Sequence, residues 1–231
     1  MNRNVRIVLG LIIAVAVVGV LGAAYIFISG GSGEASRETE SEAVEAAASA
    51  TVFEIVPDES EVRFMLDEDL RGVRTTVTGR TTDVAGQIAV DFGAPANTEL
   101  GEITVNVRTL LTDNEFRNRA IRGQILQSQQ DEFEFATFTP STVEGLPETV
   151  TMGEAFTFTI TGDFALKGIA KPATFTVTVT PESEDRITGT AQAVVLRADY
   201  GLTIPSVPGV ANVEEEVQLE IDFVAVPAAA G

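Results

Sequence analysis

The sequence predicts an all-β fold: a meander of about eight antiparallel strands closed into a barrel, with one short helical insertion. Three observations carry this. From Val52 onward apolar residues recur with period two. No stretch has the strand, helix, strand spacing of a parallel sheet. A single run, Thr109 to Gly123, breaks the alternation with helical spacing before it resumes at Phe133. A meander of this length leaves bare edges unless it closes, and closure into a barrel removes them.

Ahead of the barrel, Ile7 to Ile28 is an uncharged apolar run. At about 1.5 Å per residue it is long enough to cross a hydrocarbon core of about 30 Å. Arg3 and Arg6 precede it, and Ser29-Gly-Gly-Ser-Gly33 and then acids follow. The positive-inside bias therefore predicts a single-pass anchor in the cytoplasmic membrane, residues 1–28, with the N-terminus inside and the rest extracytoplasmic. A cleaved signal peptide is the competing reading, with Leu21-Gly-Ala-Ala24 as its small-residue site. The apolar run continues past that site to Ile28, which favours a retained anchor. Residues 29–50, Gly/Ser-rich and then acidic and Ala-rich, have no apolar periodicity. They are expected to be a flexible tether holding the barrel off the membrane, with Glu38 to Ala48 able to turn helical.

The barrel, residues 51–226, begins with Phe53 and Ile55, a Pro57-Asp58 turn, and a strand through Val62, Phe64 and Leu66. Asp67-Glu-Asp69 reads as the solvated turn ending it, because three adjacent acids lack the glycine and spaced oxygens of a calcium loop. Val73, Thr75 and Val77 follow, then Ile88, Val90 and Phe92, with Gly79 and Gly86 where the sheet bends. Ile103, Val105 and Val107 lead into the helical run. Within it Thr112 or Asp113 caps a start, and Phe116, Ala120 and Ile121 share a face. Asn114, Arg117, Asn118, Arg119 and Arg122 occupy the remainder, either as a solvated face or as polar groups at the barrel end.

After the insertion, Phe133 and Phe135 share a parity and Phe138 falls out of it, which predicts a bulge or burial on both sides. Phe156, Phe158, Ile160, Phe164 and Leu166 form one long strand across Gly162, and Lys167-Gly168 turns it into Phe175, Val177 and Val179. Ile187 to Leu196 and then Val217, Leu219, Ile221 and Phe223 complete the sheet. Residues 227–231 are a tail, and Leu202 to Val210, with two prolines, is a loop placed to cover the barrel mouth.

Composition narrows the chemistry. The chain has 231 residues with no Cys and no His, which removes thiol and imidazole catalysis and the usual zinc and haem ligands. Its net charge is −19, and every acid lies beyond Gly33, so phosphate backbones are repelled. Thirteen Phe and no Trp provide rings that can either fill a core or line a tunnel. The inward candidates are Val62, Phe64, Ile88, Val90, Phe92, Val105 and Val107 in the first half. Phe135, Phe158, Phe164, Phe175, Val177 and Phe223 are those of the second half. Asn114, Arg117, Asn118, Arg197, Asp199 and Tyr200 are candidates for the mouth, Arg197 and Asp199 sharing a strand parity as a structural ion pair or a ligand contact.

The run Thr109 to Arg122, the strand Phe133 to Phe138, Gly162-Asp-Phe-Ala-Leu-Lys-Gly-Ile-Ala-Lys-Pro172 and Arg197-Ala-Asp-Tyr-Gly201 follow one another in an order that resembles the YceI-like family. The resemblance covers residues 52 to 226, and departs from the family pattern at Asn118, Glu134, Glu59 and Lys167. It implies an extended, lipocalin-like barrel whose apolar interior holds an isoprenoid lipid, a polyisoprenoid or an isoprenoid-quinone-like chain, without catalysis, cofactor or metal. The alternatives are a packed barrel serving as an interaction module of the envelope, or an enzyme using Asp83, Glu99, Asp113 or Asp199. An elongated void would favour the first reading over the second, and converging buried carboxylates would favour the third.

Overall fold

The computed structural model describes residues 20–22 and 24–229. Thirteen strands lie in one curled antiparallel sheet: β1 (Thr51–Ile55), β2 (Glu61–Leu70), β3 (Val73–Thr81), β4 (Val84–Ala85), β5 (Gln87–Val90), β6 (Glu99–Leu100), β7 (Ile103–Asn106), β8 (Phe135–Glu144), β9 (Phe156–Leu166), β10 (Ile169–Ser183), β11 (Arg186–Leu196), β12 (Val210–Ala211) and β13 (Glu216–Pro227). The main path runs β4-β7-β8-β9-β10-β11-β13, and β13 then pairs with both β2 and the β1-β5-β6 flap. The count exceeds the expected eight in part because β4, β6 and β12 have two residues each, too few to show an alternation. The expected closure is also incomplete. Between β3 and the β7 side the backbone link is one bridge, in which Arg80 and Leu111 exchange N–H to carbonyl bonds of 2.9 Å.

Two glycines show how the sheet curls. Gly79 lies opposite Phe64, and Gly189 opposite Phe223. A Cβ on either would stand 2.1 Å or 2.6 Å from the facing ring. Each ring covers the bare backbone across from it, so the strands bend without a second side chain competing for the same space. The hairpin tips are equally legible. Lys167 and Gly168 have φ of 51° and 73°, and Arg71 and Gly72 have φ of 53° and 82°. These are the left-handed values that a two-residue turn between strands requires.

Three local readings are corrected. Asp67, Glu68 and Asp69 do not end β2, which continues to Leu70. Asp67 and Asp69 face Arg74 at 3.5 and 3.7 Å, while Glu68 turns inward and is buried. In β8 the buried parity is that of Ala136 and Phe138, so Phe135 points out, where the Arg37 guanidinium lies 4.7 Å from its ring centre. The expected bulge falls later, between Pro140 and Thr142. Residues 197–200 are a 3₁₀ turn rather than a strand, which breaks the shared parity of Arg197 and Asp199.

The expected tether is also different. Glu38 to Ala47 has no helix and lies extended on the outside of the sheet. Ser36, Thr39, Ser41 and Ser49 donate hydroxyl hydrogen bonds to Glu134, Asp83, Glu54 and Asp91 in turn. Glu134 is the clasp. It is fully buried, takes a second bond from the Ser36 amide at 2.8 Å and one from Asn106 at 3.0 Å, and stands 3.3 Å from Arg108. The expected anchor lies largely outside the described residues, and its described part, 20–22 and 24–28, is helical. Among the described residues no helix is long and apolar enough to cross a membrane.

Burial works to raise the Glu134 carboxyl, but the Ser36 and Asn106 hydrogen bonds and the nearby Arg108 outweigh it and hold it below its ordinary value of 4.5. A lowered carboxylate stabilises the folded chain above its unfolded pKa and loses that contribution as pH falls through the folded one. The Ser36 amide, which donates to Glu134, should therefore lose hydrogen-exchange protection as pH drops below about 4. Glu134→Ala should lose that protection at neutral pH and cost about 1–3 kcal/mol in urea unfolding. Unchanged exchange in the variant would show that the strap is held elsewhere.

Candidate functional site

The curled sheet does not fill its interior. Inside lies a cavity of about 450 Å³ with a predominantly apolar lining, within the roughly 300–1,000 Å³ of ordinary small-molecule sites. Its walls are the inward parity of the strands: Val62, Phe64 and Leu66 from β2, Val105 from β7, Ala136 and Phe138 from β8. Phe158, Ile160 and Phe164 from β9 face Phe175 and Val177 from β10, and Ala191, Leu219 and Phe223 close the far side. Below the cavity a packed cluster of Phe53, Phe138, Phe158, Phe175 and Phe223 fills the remaining core, with Phe138 and Phe175 edge to face at 4.7 Å between ring centres.

One end is covered by helical turns. Helix α1 (Glu115–Ala120) runs into a π-turn, Ile121–Ile125. Its cap is Asn114, one residue beyond the expected Thr112 or Asp113, with the side-chain oxygen accepting from the Arg117 amide at 3.1 Å. Phe116, Ala120 and Ile121 face the cavity from a single side, as their spacing predicts. The loop after the 3₁₀ turn lies over the same end, contributing Leu202, Ile204, Val207 and Val210.

Charge at the cavity is almost wholly paired. Arg117 reaches Glu68 at 3.0 Å and Asp113 at 2.5 Å. Arg63 binds Glu61, Asp222 and Glu220 together, and it is the Arg63 hydrogen bond first, then Gln192, that holds the Glu220 carboxyl below its usual range. Arg197 pairs with Glu215 and donates to the carbonyls of Glu214, Leu202 and Val213, at 2.7, 3.3 and 3.4 Å. Tyr200 is buried edge-on against Phe164, ring centres 5.4 Å apart, and burial pushes its hydroxyl pKa up.

The structure thus brings thirteen of the sequence-derived candidates to the cavity wall: Val62, Phe64, Val105, Val107, Phe158 and Phe164, then Phe175, Val177 and Phe223, and at the mouth Asn114, Arg117, Arg197 and Tyr200. Six lie elsewhere. Val90 and Phe92 pack into the lower core, Phe92 edge-on to Phe53, and Ile88 stands opposite Phe53 in the same flap. Phe135 faces out. Asn118 is buried as a brace, its oxygen accepting from the Thr112 amide and hydroxyl, both at 2.7 Å. Asp199 is exposed. Sequence reasoning missed Glu68, Phe138 and Arg71. Glu68 was visible in principle, since it continues the parity of Val62, Phe64 and Leu66. Asp83, Glu99, Asp113 and Asp199 do not converge, and none lines the cavity.

Comparison with known proteins gives a consistent picture. The model of the YceI-like domain matches residues 53–225. The UPF0312 protein Shewana3_1179 of Shewanella sp. strain ANA-3 is 30% identical over 152 residues, 62% of this chain and 73% of its own. Among solved structures, a polyisoprenoid binding domain from Saccharophagus degradans, implicated in plant cell wall breakdown, superposes with a TM-score of 0.59 at 14% identity. It covers 77% of this chain and 99% of its own. BcnA of Burkholderia cenocepacia superposes with a TM-score of 0.58 at 19% identity, covering 74% of this chain and 99% of its own. The YCEI protein of Campylobacter jejuni gives 0.51 at 16% identity, covering 65% and 84%. At these identities the superpositions establish the fold.

Removing Arg117 would strand Glu68 in the cavity wall without its cation. Arg117→Ala is expected to cost about 2 kcal/mol or more in urea unfolding. Combining it with Glu68→Leu should recover most of that loss, giving a coupling energy well away from zero. Strict additivity of the two changes would show that the pair does not act as one unit.

Proposed function

The chain belongs to the YceI-like family, and from that premise we propose that its cavity binds the apolar chain of an isoprenoid lipid and carries it without chemical change. The observation that carries this reading is the cavity of about 450 Å³, open between the strands and lined almost wholly by carbon. A packed interaction module needs side chains that meet across this space. The Saccharophagus neighbour is a polyisoprenoid binding domain by description, and it supports the same ligand class here. Each methylene-sized unit buried contributes about 0.8 kcal/mol before ordering costs, so a modest run of chain suffices for useful affinity.

The wall supports binding more than catalysis. Glu68, the carboxylate that β2 turns inward, is already engaged by Arg117 at 3.0 Å rather than free to reach a bound molecule. The uncharged run Ile7 to Ile28 with Arg3 and Arg6 before it supports the further proposal that the chain is anchored in the cytoplasmic membrane, with the barrel on the extracytoplasmic side. The lipid would then be drawn from, or returned to, the bilayer to which the carrier is attached.

Organic extraction of the purified full chain followed by mass spectrometry is expected to recover a prenyl lipid. A fluorescent geranylgeranyl probe should bind and be displaced by unlabelled prenols. Ala191→Phe, which fills the cavity from its far wall, should weaken the probe at least about tenfold while overpacking costs about 1–3 kcal/mol of stability. Failure of wild-type protein to take up any prenyl probe, with no lipid in the extract, would overturn the proposal.

A further inference from the structure

The route of the chain from β1 back to the apolar N-terminal run is fixed by the fold. Starting at Thr51, the strap climbs the outside of the sheet through Ser49, Ser41, Thr39 and Ser36, each hydrogen-bonded to a sheet carboxylate. It arrives at the outer face of α1, the helix whose inner face lines the cavity. There Arg119 donates from Nη1 to the carbonyls of Phe27 and Gly31 at 2.9 and 3.2 Å, and its guanidinium lies 3.9 Å from the centre of the Phe27 ring. Arg122, buried to 1% exposure, donates from Nε to the Gly30 carbonyl at 2.8 Å. Contact is so close that a Cβ on Gly30 would stand 2.6 Å from the Arg119 Cα. Past this clamp, residues 24–29 are helical with Tyr25, Phe27 and Ile28 exposed.

The end of the sheet where this happens is unlike the other. Two hairpin tips there repeat one pattern, Leu70-Arg71-Gly72-Val73 and Leu166-Lys167-Gly168-Ile169. In each, a basic residue turns the chain and a β-branched residue is left in the open, with Val73 exposed to 65%. Leu196, at the end of β11, is exposed at this end too. The apolar loop over the cavity is tied to the first tip, the Arg71 amide donating to the Gly209 carbonyl at 2.6 Å, and Lys167 at the second donates to the π-turn carbonyl of Ile125 at 3.1 Å. The opposite end presents Asp58, Glu59, Glu184 and Asp185, and the α1 end also carries exposed acids, Asp113, Asp199 and Glu214 to Glu216. What sets the α1 end apart is therefore its exposed apolar residues and the clamp on the N-terminal segment rather than its net charge.

We propose that the α1 end of the barrel is a bilayer-docking surface: the two hairpin tips and the loop between them rest in the interface of the membrane, and Arg119 and Arg122 clamp the last turn of the anchor so that the cavity mouth faces the lipid. The proposal rests on the anchored reading of residues 1–28, and is independent of which lipid the cavity holds. The strap therefore does the reverse of a spacer. By running the full height of the sheet it returns the anchor to the mouth and holds the mouth down.

Because the chain has no cysteine, single-site labelling is direct. The full chain carrying Val73→Cys, Ile169→Cys or, at the opposite end, Ser183→Cys is labelled with an environment-sensitive fluorophore. It is then reconstituted into phosphatidylcholine vesicles with or without phosphatidylglycerol, doped with a headgroup-region nitroxide lipid. Quenching of at least twofold at the first two sites and none at the third is expected. Equal quenching at all three sites, or none at the first two in chain that still floats with the vesicles, overturns docking while leaving anchoring intact. Failure to float overturns the anchor and docking with it, and prenyl-probe binding, measured separately, is untouched by either result. Arg119→Ala with Arg122→Gln should abolish the difference between ends. Should that pair unfold the protein, Arg71→Glu, at an exposed tip, is expected to halve quenching at Val73→Cys. An unchanged signal there overturns contact of that tip with the interface.

Discussion

Everything in this fold depends on how a sheet bends around an interior without filling it. In a tightly curled sheet the inward side chains of neighbouring strands compete for one volume, and a ring on every inward position would either clash or force the strands apart. Here the competition is removed locally, with glycine facing phenylalanine at the Phe64/Gly79 and Phe223/Gly189 pairs. The rings lie down on bare backbone, the strands approach, and the large residues gather in the lower cluster. What is left beneath α1 and the loop is lined mainly by Val, Ile, Leu and Ala, with the rings of Phe64, Phe164 and Phe175 laid along the wall among them. A hole there is the geometric remainder of a core that packs elsewhere.

Electrostatics follows from the same shortage of options. With 34 acids and 15 bases, most carboxylates cannot have a cation. Arginines stand beside the buried Glu68 and Glu134, where desolvation is most costly and a carboxylate without a cation would destabilise the fold. Under the strap hydroxyls serve as well, given in series to Asp83, Glu54 and Asp91 and, beside its arginine, to Glu134. An acid-rich segment is thus held on an acid-rich sheet by neutral donors.

Strand existence and facing were legible wherever a run exceeded about four alternating residues, as in β9, β10 and β13, since parity alone determines which side is buried. The errors have a common cause. A polar residue at an inward position was read as the end of a strand, so Glu68 and its neighbours became a turn, when a distant arginine had made the inward acid tolerable. An aromatic residue was read as inward, so Phe135 set the parity of β8, when Arg37 from the strap had covered it outside. Arg197 and Asp199 were paired by a strand spacing that the 3₁₀ turn abolishes. The strap itself showed no periodicity because its contacts are made by hydroxyls at irregular intervals, which no hydrophobic pattern records.

The distribution of charge also decides how an amphiphile lies in the cavity. Toward its lower end the wall is Phe138, Phe158 and Val179, where a polar head would forfeit its hydration and find no donor. Of the arginines on the wall, Arg63, Arg117 and Arg197 each already hold a carboxylate, so recruiting one to a head group would strand an acid. Arg71 differs. It lines the cavity, is exposed at the β2 tip, and among the described residues has no acidic partner within ion-pair distance. A head group placed beside it keeps contact with water and displaces no existing bond, whereas the reverse orientation loses on both counts. An amphiphile placed in this cavity would therefore lie tail inward with its head at the mouth, through the cost of every other arrangement.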